Sequence, residues 1–144
     1  IDGWEIAWQH SFWDTGFGFI ANMTLADGSA TFNNLSNEPQ FALPGLSDTR
    51  NLILFYEGYG LEVRAAYNWR DRHFTGGVTK PGYSEEYEQW DASASYAVTD
   101  GFTVFVEGIN LTNETFRSHG RDPMQLYNVG QIGARYNIGF RYVY

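Results

Sequence analysis

Residues 131–144, QIGARYNIGFRYVY, alternate between apolar and polar side chains along their whole length. A period of two places successive side chains on opposite faces of a β-strand. Aromatic and aliphatic residues therefore share one face of this predicted strand, and arginine, asparagine, glutamine and glycine occupy most of the other. The predicted apolar face consists of Ile132, Ala134, Tyr136, Ile138, Phe140, Tyr142 and Tyr144.

Six segments nearer the N-terminus repeat this alternation or carry a run of apolar residues. Together with residues 131–144 they predict seven strands, each of roughly 8–13 residues. No segment has the periodicity of a helix. The six segments are residues 4–12, 17–25, 50–57, 61–70, 89–98 and 102–111.

The connections between the predicted strands alternate between short and long. The short ones are turns with glycine where a positive φ is expected, and the long ones are polar and contain the prolines. In an up-and-down antiparallel sheet this order places all the turns at one end and all the loops at the other, which is typical of transmembrane β-barrels. The turns are 14–16, 58–60 and 99–101, and the loops are 26–48, 71–85 and 112–128.

Composition excludes several classes of function. The chain carries 9 Lys and Arg against 17 Asp and Glu, a net charge of −8, and 18% of its 144 residues are aromatic. Nucleic-acid binding needs clustered cations to neutralise phosphates, so no nucleic-acid partner is expected. Cysteine is absent, which excludes disulfides and thiolate metal sites. Many aromatic residues at a mean hydropathy of −0.39 suit strands with one apolar and one wet face.

Strand length and the position of the aromatic residues favour a membrane. A tilted transmembrane strand needs about 9–11 residues, and aromatic rings near strand ends fit the girdles at the two membrane interfaces. Alternation alone also allows a small soluble β-barrel or β-sandwich that binds an apolar or sugar ligand. The predicted polar face is too wet to fill a small barrel, and it includes Glu62, Arg64, Arg70, Asp91, Arg135 and Arg141.

Seven is an odd number of strands, whereas bacterial single-chain barrels have an even number. An open sheet edge in lipid would leave backbone groups without hydrogen-bond partners. We therefore expect residues 1–144 to form an incomplete domain, which supplies about seven C-terminal strands of a larger antiparallel up-and-down transmembrane β-barrel.

Two segments resemble the C-terminal region of TonB-dependent receptors, which are large outer-membrane transporters. They are residues 43–74, LPGLSDTRNLILFYEGYGLEVRAAYNWRDRHF, and residues 81–144, in which VEGINLTNE at 106–114 is especially similar. The resemblance covers most of the chain. The C-terminal residues also resemble the assembly signal of outer-membrane barrels, although the chain ends in Tyr rather than the usual Phe. The residues of this signal are Asn137, Gly139, Tyr142 and Tyr144.

The resemblance implies a roughly 22-stranded barrel with an N-terminal plug, in the outer membrane of a Gram-negative bacterium. Such receptors take up a scarce nutrient, such as a siderophore, vitamin B12 or an oligosaccharide, with energy transmitted by TonB. The implied partners are outer-membrane lipid and lipopolysaccharide, the remaining strands and plug of the receptor, TonB through the N-terminal part, and a small-molecule nutrient. No cofactor is implied, and these strands alone are not expected to transport anything.

Ligand contacts, if any, are expected from two of the long loops. Arginine pairs with carboxylate or phosphate groups, and aromatic rings stack on sugars. The same side chains could instead brace one loop against another or pair with anionic lipopolysaccharide. The candidates are Arg70, Arg72, His73 and Phe74 in one loop, and Phe116, Arg117, His119, Arg121 and Tyr127 in the other.

Catalytic and metal sites are not expected. The histidines lack the spacing of metal ligands, and a histidine next to a serine in sequence seldom forms a nucleophile–base pair. An acidic run fits a solvated loop edge better than a Ca²⁺ site. An enzyme fragment is therefore the least favoured interpretation. The histidines are His10, His73 and His119, and the acidic run is Glu85, Glu86, Glu88 and Asp91.

Overall fold

The computed structural model describes residues 1–28 and 30–144, and in these residues it contains two antiparallel β-sheets. The strands are β1 (Asp2–Ser11), β2 (Phe17–Asp27), β3 (Thr49–Gly58), β4 (Leu61–Arg70), β5 (His73–Gly76), β6 (Gly82–Ser84), β7 (Tyr87–Thr99), β8 (Phe102–Ile109), β9 (Thr115–His119), β10 (Leu126–Gln131) and β11 (Arg135–Tyr142). A single 3₁₀ turn, Trp13–Thr15, accompanies them in the described part of the chain. None of the described residues form a helix long and apolar enough to cross a membrane.

The larger sheet has the order β1-β2-β3-β4-β7-β8-β11, so its strands lie side by side in the order in which they occur along the chain. This is the antiparallel up-and-down arrangement that the sequence predicts, and the predicted strands are all present in it. The sheet is open rather than closed into a barrel, because β1 and β11 each have one neighbouring strand and one free edge.

The turns and loops segregate to opposite ends of the larger sheet, as predicted. Gly16 and Gly60 have positive φ angles of 78° and 76°, and Tyr59 has a φ of 53°, which gives the β3–β4 hairpin a turn of the primed type. The prediction is wrong for Gly101, which does not have a positive φ. There a side chain is excluded by close approach, since a Cβ would lie 2.6 Å from the carbonyl oxygen of Val143.

Two of the three long loops contain short strands that the sequence does not predict. They contain β5, β6, β9 and β10, which form the smaller sheet in the order β10-β9-β6-β5. The last strand also begins later than predicted. Gln131 belongs to β10, where it lies opposite Thr115, and Gly133 breaks the chain direction with a φ of 82°. Ile132 and Ala134 therefore lie outside β11.

The strand registers unite the apolar residues of the larger sheet into one continuous face. Ala65 of β4, for example, lies between Leu54 of β3 and Ala92 of β7. The opposite face carries the polar residues predicted to line a lumen. Members of the apolar face are Trp4, Ile6, Trp8, Phe19, Leu52, Leu54, Val63, Tyr67, Trp90, Val104, Val106, Ile138 and Phe140.

Little of the molecule forms an interior. Among the apolar side chains in the described part of the chain, only Pro81 and Tyr83 are buried, whereas Trp8 and Phe140 on the apolar face are 64% and 71% exposed. A concavity lies on the other face. We call it the polar trough, a hollow of about 460 Å³ whose lining runs from Gln9 of β1 to Glu107 of β8. The larger sheet therefore curves around its polar face and leaves its apolar face uncovered.

Candidate functional site

The three long connections pack together at one end of the larger sheet, and we call this assembly the loop cap (residues 28, 30–48, 71–86 and 110–134). The smaller sheet holds two of the connections together through the pairing of β6 with β9, which places Tyr83 opposite His119. Arg121 reaches the third connection from here, so the cap is a single packed unit rather than three independent loops.

Tyr83 is the centre of the loop cap. Its ring stacks on His119 at 5.4 Å between centroids and lies 5.6 Å from Phe74. Its hydroxyl donates a hydrogen bond of 2.9 Å to Oδ1 of Asn34 in the third connection. The sequence gives no signal for this role, because a three-residue strand is too short to show periodicity.

His119 and His73 are both predicted ligand contacts, but the fold buries the two side chains to different extents. His119 is 1% exposed, and its Nδ1 lies 2.7 Å from the carbonyl oxygen of Gly120. His73 is only half-buried. Burial lowers its pKa below the usual value, the hydrogen bond with the Asp71 carbonyl partly offsets this effect, and Arg70 lowers the pKa again. The net lowering of the pKa favours the uncharged form of the His73 imidazole.

Arg121 and Arg117 are held by other parts of the loop cap. The guanidinium of Arg121 donates to Oδ1 of Asn37 at 2.8 Å, to the carbonyl oxygen of Asn34 at 3.2 Å and to that of Thr79 at 2.8 Å. Arg117 forms a looser ion pair, with Nε 3.9 Å from a carboxylate oxygen of Glu85. Arg121 thus braces two connections against a third, which is the alternative role that the sequence left open.

A pocket of about 290 Å³ brings three of the predicted contacts together: Arg70, His73 and Phe116. It lies between the end of β4 and the smaller sheet. The guanidinium of Arg70 already donates to Oγ of Ser47 at 2.8 Å and to the carbonyl oxygen of Gly45 at 2.9 Å. The pocket therefore offers an imidazole and an aromatic ring beside a guanidinium that is already hydrogen-bonded.

A second pocket, of about 360 Å³, contains Arg72 and Phe74 together with Tyr83. The guanidinium carbon of Arg72 lies 5.4 Å from the ring centroid of Tyr83, and Phe74 stacks on Phe32 at 5.3 Å. The lining thus combines aromatic walls with one cation, Arg72, and one carboxylate, Asp27. Tyr127, the last of the predicted contacts, is exposed and lines neither pocket.

Within residues 1–28 and 30–144, no group of three or more His, Cys, Asp or Glu side chains is placed to hold a metal ion. The acidic run is dispersed: Glu85 faces Arg117, Glu88 accepts a hydrogen bond of 2.8 Å from the Tyr67 hydroxyl, and Asp91 accepts one of 2.8 Å from the backbone N–H of Asn110. Serine–histidine neighbours lie on β1 and β9, where adjacent side chains point to opposite faces.

The residues of the proposed assembly signal lie on the edge strand β11 and just beyond it. Asn137 and Gly139 belong to the polar face, opposite Glu107 and Phe105 of β8. Tyr142 is on the apolar face, and Tyr144 follows the end of the strand. The signal is therefore split between the two faces of one strand that has a free edge.

The most extensive chemical feature of the molecule is the amphipathic larger sheet rather than either pocket of the loop cap. No known protein family, curated protein or solved structure matches the chain. The exposed apolar face and the polar trough are thus the features from which a function has to be inferred.

Proposed function

We propose that the chain forms part of the wall and of the external loops of a TonB-dependent outer-membrane receptor, which takes up a scarce nutrient through a plugged barrel. The observation that carries this proposal is the continuous apolar face of the larger sheet, which is exposed at Trp8 and Phe140. Soluble proteins rarely expose apolar patches of such extent. In the proposed receptor this face contacts lipid, and the polar trough faces the lumen.

The height of the apolar face supports a membrane location. On β4 its side chains run without a charge from Leu61 to Trp69, which is about 26 Å along a strand at about 3.3 Å per residue. A tilt of about 40° reduces this to roughly 20 Å, close to the apolar band of about 25 Å in outer-membrane barrels. Charges on the neighbouring strands begin at the level of Trp69 itself, because Arg50 and Glu88 are its direct partners in the register.

Aromatic side chains at both ends of the larger sheet support the same location. Rings with a polar edge favour the membrane interfaces and form girdles there. The turn end of the sheet is the richer of the two. Its rings are Phe12, Trp13, Phe17, Tyr56, Tyr59, Phe102 and Tyr142, and those towards the loop end are Trp4, Trp69 and Trp90.

The assignment to TonB-dependent receptors rests on the sequence resemblance, above all on residues 106–114. In the proposed receptor the loop cap faces the outside of the cell, and its two pockets make the first contact with the nutrient. The further partners are lipopolysaccharide around the loop cap, the remaining strands and plug of the barrel, and TonB through the N-terminal part.

Two neighbouring alanines on β4 test the membrane proposal, because they belong to opposite faces. Ala65 lies on the apolar face and Ala66 on the polar face. We expect Ala65→Arg to lower the free energy of unfolding from lipid vesicles by about 2–4 kcal/mol, since it places a cation at mid-bilayer. Ala66→Arg, the matched control, changes it little. Urea titration of the chain in phosphatidylcholine vesicles measures both values.

The proposal fails if the purified chain stays folded and monomeric in buffer without detergent. It also fails if the two arginine variants unfold at the same urea concentration, because the two faces would then not differ in their contact with lipid. Either result would favour the alternative of a small soluble β-barrel or β-sandwich binding module.

A further inference from the structure

Four side-chain amides stand in direct register across the polar face of the larger sheet. Asn22 of β2 lies opposite Asn51 of β3, Asn51 lies opposite Asn68 of β4, and Asn68 lies opposite Gln89 of β7. Neighbouring strands are about 4.8 Å apart, so this amide row is about 14 Å long. The four residues are far apart in sequence, and only the strand registers bring them into line.

Three of the amides have free hydrogen-bonding capacity. Among the described residues, the side chains of Asn22, Asn51 and Asn68 form no hydrogen bond with each other or with another group, and all three are at least partly exposed. A carboxamide has two donors and one acceptor, and in stacked β-structures such amides usually bond along the row. Gln89 is fixed instead by the Tyr87 hydroxyl, which donates to it at 2.8 Å.

Two charges next to the amide row, those of Arg70 and Asp91, are already hydrogen-bonded within the protein. Towards the loop end of β4, Arg70 donates to Ser47 and Gly45. Two residues beyond Gln89 on the same face, Asp91 accepts hydrogen bonds from Gln89 at 2.8 Å and from the Asn110 backbone. The row itself carries no charge, which favours an uncharged ligand at the four amides, while Arg64 and Glu107 line the adjacent hollow.

An apolar row runs beside the amide row on the same face. Ile20 lies opposite Ile53, and Ile53 lies opposite Ala66, in each case two residues from the amide of the same strand. A hollow of about 370 Å³ lies over Ile53, Ala66 and Asn68, and the charged side chains of Arg64, Asp91 and Glu107 also line it. Binding sites combine apolar walls with a few placed polar groups. Sugar rings offer the complement, since they carry hydroxyl groups at the rim and C–H groups on the faces.

We infer that the amide row binds a neutral, hydroxyl-rich chain, such as a short oligosaccharide. The sugar hydroxyls would bond to Asn22, Asn51 and Asn68, and the ring faces would lie on the neighbouring apolar row. This inference rests on the proposed function, in which the polar face of the larger sheet lines the lumen. It names the chemical class of the nutrient.

Side-chain N–H signals of asparagine report binding at the row directly in nuclear magnetic resonance spectra. The ¹⁵N-labelled chain in detergent micelles is titrated with maltohexaose, cellohexaose and xylohexaose, and separately with citrate as an anionic probe. We expect saturable shifts of the Asn22, Asn51 and Asn68 side-chain signals with at least one sugar. Shifts with citrate but with no sugar, or no shifts at all, would overturn the inference.

Leucine substitutions test whether the amide groups themselves bind. The double variant Asn51→Leu, Asn68→Leu keeps the side-chain size and removes the amides, so we expect sugar affinity to fall about tenfold. Asn137→Leu on the edge strand β11 makes the same change on the same face, away from the row, and should leave affinity unchanged. Equal affinity of the double variant and the control would contradict the inference.

The two proposals fail in distinguishable ways. If the chain inserts into lipid vesicles but its asparagine signals respond to no sugar, only the binding inference is overturned. If the chain is instead folded in buffer without detergent and still binds sugar through Asn51 and Asn68, the membrane proposal is overturned. The amide row then remains a carbohydrate site.

Discussion

Two glycines on the polar face lie beneath aromatic rings of the neighbouring strand. Gly18 is directly opposite Phe55, and Gly139 is directly opposite Phe105. In each pair the ring occupies the space that a Cβ would take, and for Gly139 the Cζ atom of Phe105 is 2.5 Å from that position. Each ring covers the strand backbone that glycine leaves exposed. Such contacts help to fix the register between neighbouring strands.

Gly139→Ala should therefore destabilise the sheet by about 1–3 kcal/mol, since Phe105 has to leave its position over the strand. Gly130→Ala in β10 is the matched control, because a Cβ there has no neighbour within 4 Å. We expect the control to be neutral or slightly stabilising, as alanine has less freedom in the unfolded chain. Urea unfolding in detergent micelles measures both, and equal midpoints would show that the ring is not needed there.

The residue types at the candidate site could be predicted from sequence, but the contacts that each side chain makes could not. Arginine and histidine in polar loops have the right chemistry for a ligand, and Arg72 and His73 do line pockets. His119 has the same chemistry but is buried against Tyr83 by the β6–β9 pairing. Burial of a loop residue depends on contacts between distant segments, to which local patterns carry no clue.

At the level of elements, strand length decides what the sequence reveals. The strands of the larger sheet have 8–13 residues, and alternation over that length is visible. The strands of the smaller sheet have 3–6 residues, which is too few repeats of a two-residue period. The smaller sheet is stabilised by pairing between connections, so its position follows from the larger sheet and not from its own sequence.

Arg121 is expected to control the order of the loop cap. Arg121→Leu removes three hydrogen bonds between connections, each worth about 0.5–1.5 kcal/mol, so limited proteolysis within residues 30–48 should become at least about fivefold faster. Arg117→Leu is the matched control, because its ion pair is long and partly exposed and contributes little. Equal cleavage rates in the two variants would show that Arg121 does not brace the cap.

At the level of the whole molecule, one shared register decides the character of both faces. A slip of one residue in any strand would move its apolar set into the polar trough. Four of the tryptophans, Trp4, Trp8, Trp69 and Trp90, lie on the apolar face, and Trp13 is exposed in a turn. None of them lines the polar trough. Sequence alternation predicts that the faces differ, but it does not say which one is concave.

Tryptophan fluorescence tests which face meets the acyl chains. In vesicles of lipids brominated on the acyl chain, we expect strong quenching of the native tryptophan emission, because four of the five indoles belong to the apolar face. Aqueous acrylamide should quench mainly Trp13. The Trp13→Phe variant is the control and should lose most of the acrylamide effect but keep the bromine effect. Full acrylamide quenching without bromine quenching would contradict a lipid-facing sheet.

The strand order has a consequence for self-association. Because neighbours in the larger sheet alternate in direction, its two edge strands, β1 and β11, run the same way. An antiparallel ladder between β11 of one copy and β1 of another therefore turns the second copy upside down, with its loop cap on the other side. Copies that share one orientation in a membrane therefore cannot join these edges by antiparallel ladders, and only the less stable parallel pairing is left to them.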